Sequence, residues 1–157
     1  MPSIIILCKT LLKGGAEKQA ITLSKLLTEK KTDTILINWC GDKIDAANLN
    51  YISNNSIRYI GLKGGPIMKF IHFLKIIRNE KISIILSYLT LANFITGITG
   101  LFNKNLLTIG GIRTDKLPFY KFFFEKLVHN YLNDATVFNN FSAKIKFAGR
   151  GFNPAKI

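Results

Sequence analysis

The residues able to do chemistry gather in a few places. In LLKGGAEKQA (11–20), Gly14 and Gly15 separate the apolar run IIILC from a stretch with helical spacing. A strand, glycines and a helix in that order set backbone N–H groups and the positive end of a helix dipole at one spot, which suits an anion. The missing side chains also let a ligand approach the backbone closely. Lys13 stands beside this corner, either facing the anion or simply solvated, and Glu17 either caps free N–H groups of the first helical turn or touches substrate. The stretch lacks the third glycine of G-x-G-x-x-G and the Gly-Lys-Ser/Thr of a P-loop, so it signals neither a dinucleotide fingerprint nor NTP hydrolysis. Arg113 follows the strand-like run LLTIGGI, and the carboxyl ends of strands are where open α/β sheets bind ligands; a surface salt bridge is the competing role. His72 and His129 fall mid-helix without a partner at metal-ligand spacing, so no metal is expected.

These residues need elements to hold them. Runs rich in Ile, Leu and Val span Ser3 to Cys8, Thr34 to Trp39, Ile57 to Leu62, Ile82 to Ser87, Leu106 to Ile109 and Ala135 to Phe138. Most are apolar throughout, as strands covered on both faces of a parallel sheet are. Helical spacing fills roughly 16–30, 66–80, 90–102, 117–132 and 141–149. Regular alternation of strand and helix predicts a Rossmann-like, doubly wound parallel sheet in a three-layer α/β/α arrangement. In the first helix Ala20, Leu23, Leu26 and Leu27 form the stripe expected to face the sheet. In the second, Phe70, Phe73, Leu74 and Ile77 do so, leaving Ile71 and Ile76 exposed beside Lys69, Lys75 and Arg78. That outer face of 66–80 is either a solvated basic surface or one that lies on an anionic membrane. In LPFYKFFFEKLVHNYL the aromatics Phe119, Phe122, Phe123 and Tyr131 are expected to be core.

At 157 residues the chain has room for one domain. Twenty-two Lys and Arg against nine Asp and Glu give a formal charge of +13, which favours an anionic partner. No nucleic-acid-binding module is present and the aromatics fall within helices, so nucleic acid is not the expected partner. Cys8 and Cys40 each end an apolar run and read as reduced, buried residues of a cytoplasmic protein. MPSIIILCK has neither the basic region nor the apolar length of a signal peptide, and no apolar stretch approaches the roughly 20 residues that cross a bilayer. The expected location is cytoplasmic, with peripheral contact at the inner face of the membrane.

Four stretches, taken in order, carry a resemblance. LKGGAEKQAITLSKLL resembles the "GGAE, then amphipathic helix" opening of the retaining glycosyltransferases of GT-B fold classed in family four, also called glycosyl transferase group 1. SIILSYLTLANFITGI resembles their fourth strand and following helix, with Asn93 where those enzymes often carry asparagine. LLTIGGIRTD resembles the fifth strand, ending in Arg113, and NDATVFNNFSAKIKFAGRGFNPAKI resembles the sixth strand, a loop at Asn139 and Asn140, and the run towards the inter-domain linker.

The resemblance implies the N-terminal, acceptor-side half of a two-domain enzyme, with the donor-binding C-terminal domain absent from this chain. It implies transfer of a sugar from a nucleotide sugar to a glycan or polyprenyl-phosphate-linked acceptor in cell-surface polysaccharide synthesis. No cofactor beyond the nucleotide sugar is implied, and the isolated domain is expected to be inactive. Lys13, Gly14, Gly15, Glu17, Asn93, Arg113 and Asn140 become the expected contacts to donor phosphate and acceptor. Many members carry histidine at the end of the fourth strand; here Tyr88 stands nearest to that place and takes the catalytic expectation. The alternative is a non-catalytic subunit that docks a split glycosyltransferase at a membrane.

Overall fold

The computed structural model describes residues 2–114 and 116–157. Strands β1 (Ile4–Cys8), β2 (Thr34–Asn38), β3 (Tyr59–Gly61), β4 (Ile84–Tyr88), β5 (Leu107–Ile112) and β6 (Ala135–Phe138) alternate with helices α1 (Gly15–Glu29), α2 (Ala46–Asn54), α3 (Pro66–Asn79), α4 (Thr90–Phe102), α5 (Phe119–Leu127) and α6 (Phe141–Ala148). A π-helical turn, Val128–Leu132, prolongs α5, and a 3₁₀ turn spans Pro154–Lys156. The strands form one parallel sheet in the order β3-β2-β1-β4-β5-β6, the doubly wound arrangement that the alternating pattern predicts. Chain direction across the sheet reverses between β1 and β4, so their carboxyl ends flank the crevice where such folds bind ligands.

Strand pleating divides the core in two. Ile5, Leu7, Ile35, Ile37 and Ile85 pack with Phe73, Ile76 and Ile77 of α3 and Ala92 and Ile95 of α4. On the other face Ile6, Cys8, Leu36 and Tyr88 meet Ala20 and Ile21 of α1 and Ile52 of α2. The register places Leu107 and Ile109 of β5 beside Ile84 and Leu86, and Ala135 and Val137 of β6 beside Ile109 and Gly111, all on this second face. There the sheet lies open: Leu107 is 43% and Val137 46% exposed, and Ile109 and Ala135 are only half-buried. A third cluster joins Ile112, Phe122, Phe147 and Phe152, with the Phe147 and Phe152 rings 5.0 Å apart, edge to face.

Several boundaries differ from the sequence expectation. α2 was not anticipated, because AANLNYISN is rich in asparagine and buries only Ile52; its start is fixed by Asp45, whose carboxylate accepts from the Ala47 N–H at 3.0 Å. β5 runs on through Gly110 and Gly111 to Ile112, since its neighbours supply the hydrogen-bond ladder that glycine side chains cannot signal. Of the expected α1 stripe, Ala20, Leu23 and Leu27 pack on the core, with Ile21 and Ser24 buried beside them, whereas Leu26 is 48% exposed. Ile76, expected outside, is buried, and Ile71 is exposed as expected. Of these aromatics only Phe122 is core; Phe119, Phe123 and Tyr131 are exposed, because the short helix turns only Phe122 and Glu125 fully inward, against α6 and α4.

The end of the chain is tied down by polar contacts. Buried His129 donates from Nε2 to the Asn153 carbonyl at 2.9 Å, and its Nδ1 accepts from the Thr136 hydroxyl at 2.7 Å. Burial lowers its pKa and keeps the ring neutral. Lys156 Nζ donates to the carbonyls of Asn130 and Asn133 at 3.0 and 2.8 Å, closing the π-helical turn.

Candidate functional site

The carboxyl ends of β1, β4 and β5 bring most of the expected site residues to one corner. Gly14 is the N-cap of α1 in extended backbone, and no side chain caps this helix, so its first-turn N–H groups face the crevice unclaimed by side chains. The Glu17 carboxylate folds back over Gly14, where a Cβ at position 14 would collide with Oε2 and lie 3.0 Å from Cδ. Glycine is therefore required for this close approach, and Glu17 covers the corner without making a capping bond. Gly15 has nothing within 4 Å of where a Cβ would stand, so it opens onto free space. Lys13 is almost fully exposed, with Nζ only 3.9 Å from Asp45, an ion pair too loose to hold it.

Opposite the glycines, the Arg113 guanidinium lies over the Tyr88 ring at 4.4 Å. Gly111 makes this possible: a Cβ there would stand 2.6 Å from the Ser87 carbonyl and in contact with the guanidinium. Arg113 Nε is buried without a hydrogen-bond partner among the described residues. Tyr88 itself is 3% exposed, and burial raises its phenol pKa, with Arg113 pulling the other way. It forms the floor under the arginine rather than an accessible acid or base. Burial likewise pushes the Cys8 thiol far up, with Glu17 adding to the effect and Arg113 opposing it. Cys8 is thus a protonated wall at the end of β1.

Three openings border this corner, one of them, of about 420 Å³, lying between Lys13, Gly14 and α2. A small cavity of about 60 Å³ is lined by Cys8, Lys9, Glu17, Tyr88, Leu89 and Leu91. A wider groove of about 570 Å³ runs along α1, with Gly15, Lys18, Gln19 and Thr22 on one side and Tyr88 and Arg113 at its head. Leu89 joins β4 to α4 with φ +72, a left-handed conformation unfavourable for leucine, while its N–H donates to the Gly111 carbonyl at 3.1 Å. Strain of this kind collects at ligand-binding edges.

Two expected residues lie elsewhere. Asn93 is 1% exposed, and its side chain is spent within the protein. Its Oδ1 accepts from the Ser87 hydroxyl at 2.9 Å and the Gly111 N–H at 3.0 Å, and its Nδ2 donates to the Gly111 carbonyl and to both oxygens of Glu125 at 3.2–3.3 Å. Instead of reaching a ligand, it clamps the ends of β4 and β5 beneath Tyr88 and Arg113. Asn140 caps α6 through a 2.6 Å bond from the Ala143 N–H, and its Nδ2 reaches Asn139. Asn139 in turn donates to the Arg113 carbonyl at 3.2 Å. Sequence reasoning missed Glu125, a carboxyl 3% exposed whose pKa is raised by burial against the opposing hydrogen bonds of Thr90 and Asn93. The signal was a lone acid in the phenylalanine-rich run FYKFFFEKL.

The sequence matches no family profile and no curated protein. Solved structures do share the fold. Anabaena HepE, crystallised with UDP-glucose, aligns with TM-score 0.80 and 12% identity over 98% of this chain and 42% of its own. The lipopolysaccharide outer core galactosyltransferase WaaB aligns with TM-score 0.70 and 12% identity over 99% and 44%. UDP-GlcNAc 2-epimerase from Methanocaldococcus jannaschii aligns with TM-score 0.61 and 15% identity over 100% and 44%. The chain thus spans less than half the length of the structures it matches, and its six-stranded parallel sheet with flanking helices is the fold of one GT-B domain.

Proposed function

We propose that this chain is the acceptor-binding, N-terminal half of a retaining, family-four type glycosyltransferase acting in cell-surface polysaccharide synthesis. The observation that carries the reading is the corner at the β1/β4 switch point, where the uncapped N-terminus of α1 with Gly14 and Gly15 faces Arg113 stacked on Tyr88. The α1 amides and Arg113 offer positive electrostatics to a diphosphate whose main grip lies on a second domain. The buried clamp of Asn93 holds the strand ends that aim them. Retaining transfer needs positioning and electrostatic stabilisation more than a paired acid and base, which suits a site whose Tyr88 and Cys8 are both held protonated. The open sheet face over β5 and β6 supports a further layer, supplied by a donor domain or a separate subunit.

The test is a fusion of this chain to the donor-side domain of a GT-B transferase, assayed for transfer from a nucleotide sugar. The fusion transfers sugar, the 157 residues alone do not, and Arg113→Ala lowers transfer by about a hundredfold with folding intact. Turnover by the chain alone refutes the half-enzyme reading, and a fusion indifferent to Arg113→Ala refutes the site.

A second reading, a membrane-docking subunit, is favoured by one feature. Ile67, Met68 and Ile71 of α3 are 77%, 64% and 44% exposed on a helix that carries Lys69, Lys75 and Arg78 and no acid. Among the described residues no helix is long and apolar enough to cross a membrane, so contact of this kind would be peripheral. Co-sedimentation with anionic vesicles that is lost in Lys69→Glu/Lys75→Glu supports docking through α3, and unchanged binding removes that helix from it.

A further inference from the structure

A second groove, of about 480 Å³, opens at the same edge of the sheet between the first turns of α3 and α4. Trp39, just past β2, forms its floor; Ile67, Phe70 and Ile71 form one wall, and Leu91 and Phe94 the other. Apart from the Trp39 indole, its lining side chains are purely hydrocarbon. Leu91 also lines the small cavity beside Glu17, Lys9 and Tyr88, so the apolar groove starts where the candidate reaction corner ends. The two helices that wall it carry charge of one sign, and Glu17 is the acid at its corner end. α4 carries none, and α3 carries only Lys69, Lys75 and Arg78, while Lys63 precedes its N-terminus and Lys9 stands at the corner.

From this continuity we infer that the groove holds the hydrocarbon chain of an acceptor lipid with an anionic head. The head lies at the corner beside Lys9, and the chain passes Leu91 onto Trp39. This rests on the acceptor-binding reading and narrows it: the acceptor is a lipid-linked molecule, not a free glycan. Chemistry selects that occupant. A sugar would leave its hydroxyls unpaired against these walls, whereas methylenes gain from leaving water, and the lysines of α3 with Lys63 and Lys9 outweigh the single carboxylate of Glu17 for an anionic head.

Trp39 is the chain's single tryptophan, so its fluorescence reports occupancy directly. Titration uses ω-bromoalkyl phosphates of eight, ten and twelve carbons below their aggregation concentrations, with 2-bromoethyl phosphate as the head-only control. Saturable quenching is expected with the long chains and not with the control. Each added pair of carbons should tighten binding about tenfold, following the transfer free energy of buried methylenes. Ile71→Glu, on the exposed rim, should weaken the twelve-carbon probe at least tenfold while the far-UV circular dichroism stays unchanged. Should that variant fail to fold, the chain-length series on the unaltered protein still decides. Quenching that does not saturate, equals that of the control or ignores chain length overturns the inference. So does a dimer in sedimentation velocity that Ile71→Glu dissociates, because the groove would then belong to a second copy. Sugar transfer by the fusion with silent quenching defeats only this inference; saturable, chain-length-dependent quenching without transfer defeats only the transferase reading.

Discussion

Replacing Asn93 with alanine tests whether this residue holds the site or touches its ligand. The change removes the acceptor of the Gly111 N–H, one of two partners of the Ser87 hydroxyl, and the donor to the buried Glu125 carboxyl. Ser87 keeps its 3.2 Å bond to the Ile109 carbonyl, so that loss is small. An orphaned buried N–H costs about 1–3 kcal/mol, and a buried carboxyl that loses Asn93 while keeping Thr90 adds about 1, giving a loss of roughly 2–4 kcal/mol. For a domain of this size that lowers Tm by on the order of 10 °C. Urea unfolding followed by circular dichroism measures it, and a double-mutant cycle with Glu125→Gln isolates the shared part, expected at about 1–2 kcal/mol. Asn93→Asp adds a sign: its carboxyl faces that of Glu125, so the variant should be weakest at alkaline pH and recover as acid protonates the pair. A loss under about 1 kcal/mol in Asn93→Ala, joined to a large fall in nucleotide-sugar binding by the fusion, refutes the clamp and restores the role of ligand contact.

Glu125→Gln should stabilise the protein at pH 8 and not at pH 4. Burial raises the Glu125 pKa in the fold, so stability is greatest with the carboxyl protonated and falls as pH rises from the ordinary carboxylate value through the folded one; calorimetry across pH checks this, and a gain that is equal at both pH values contradicts it. Gly14→Ala should cost about 0.5–1 kcal/mol, because alanine is a poorer N-cap than glycine, and it displaces the Glu17 carboxylate, so the loss should shrink in Gly14→Ala/Glu17→Ala. Urea denaturation of both variants measures the difference. With native protein at pH 8, a thiol reagent should label half-buried Cys40 well before Cys8, whose thiol burial keeps protonated and covered. Mass spectrometry of the labelled peptides reads the order, and equal rates would contradict the placement of Cys8.

How much the sequence disclosed depended on the kind of signal. Ile5, Ile6, Leu36 and Ile85 sit in strands apolar on both faces, which only a covered parallel sheet explains, so fold class was legible. That the diglycine and Arg113 lie near one another was legible because chain topology alone sets loop and strand ends together at the switch point. Asn93 was not, since composition cannot say whether a polar side chain points out to a ligand or in to Gly111 and Glu125. Leu26 of α1 and most of the α5 aromatics were misplaced for a related reason. Helical periodicity names an apolar face but not what covers it, and Leu26, Phe119 and Phe123 lie where the described chain places nothing over them.

Those uncovered positions bear on the function as well. Leu107 and Val137 are open on the α1 side of the sheet, and Ile67, Ile71 and Leu91 are open on the α3/α4 side, next to the corner. The two apolar surfaces lie on opposite faces, so one flat partner such as a membrane cannot cover both. The α3/α4 groove continues into the site and suits a substrate chain; the β5/β6 face lies beside α1, whose exposed Leu26 borders the wider groove headed by Arg113. A protein layer seated on the second face would therefore touch the groove that leads to Arg113, while lipid enters from the first. On the proposed arrangement an acceptor lipid and a second domain would approach the corner from different sides, and neither need displace the other.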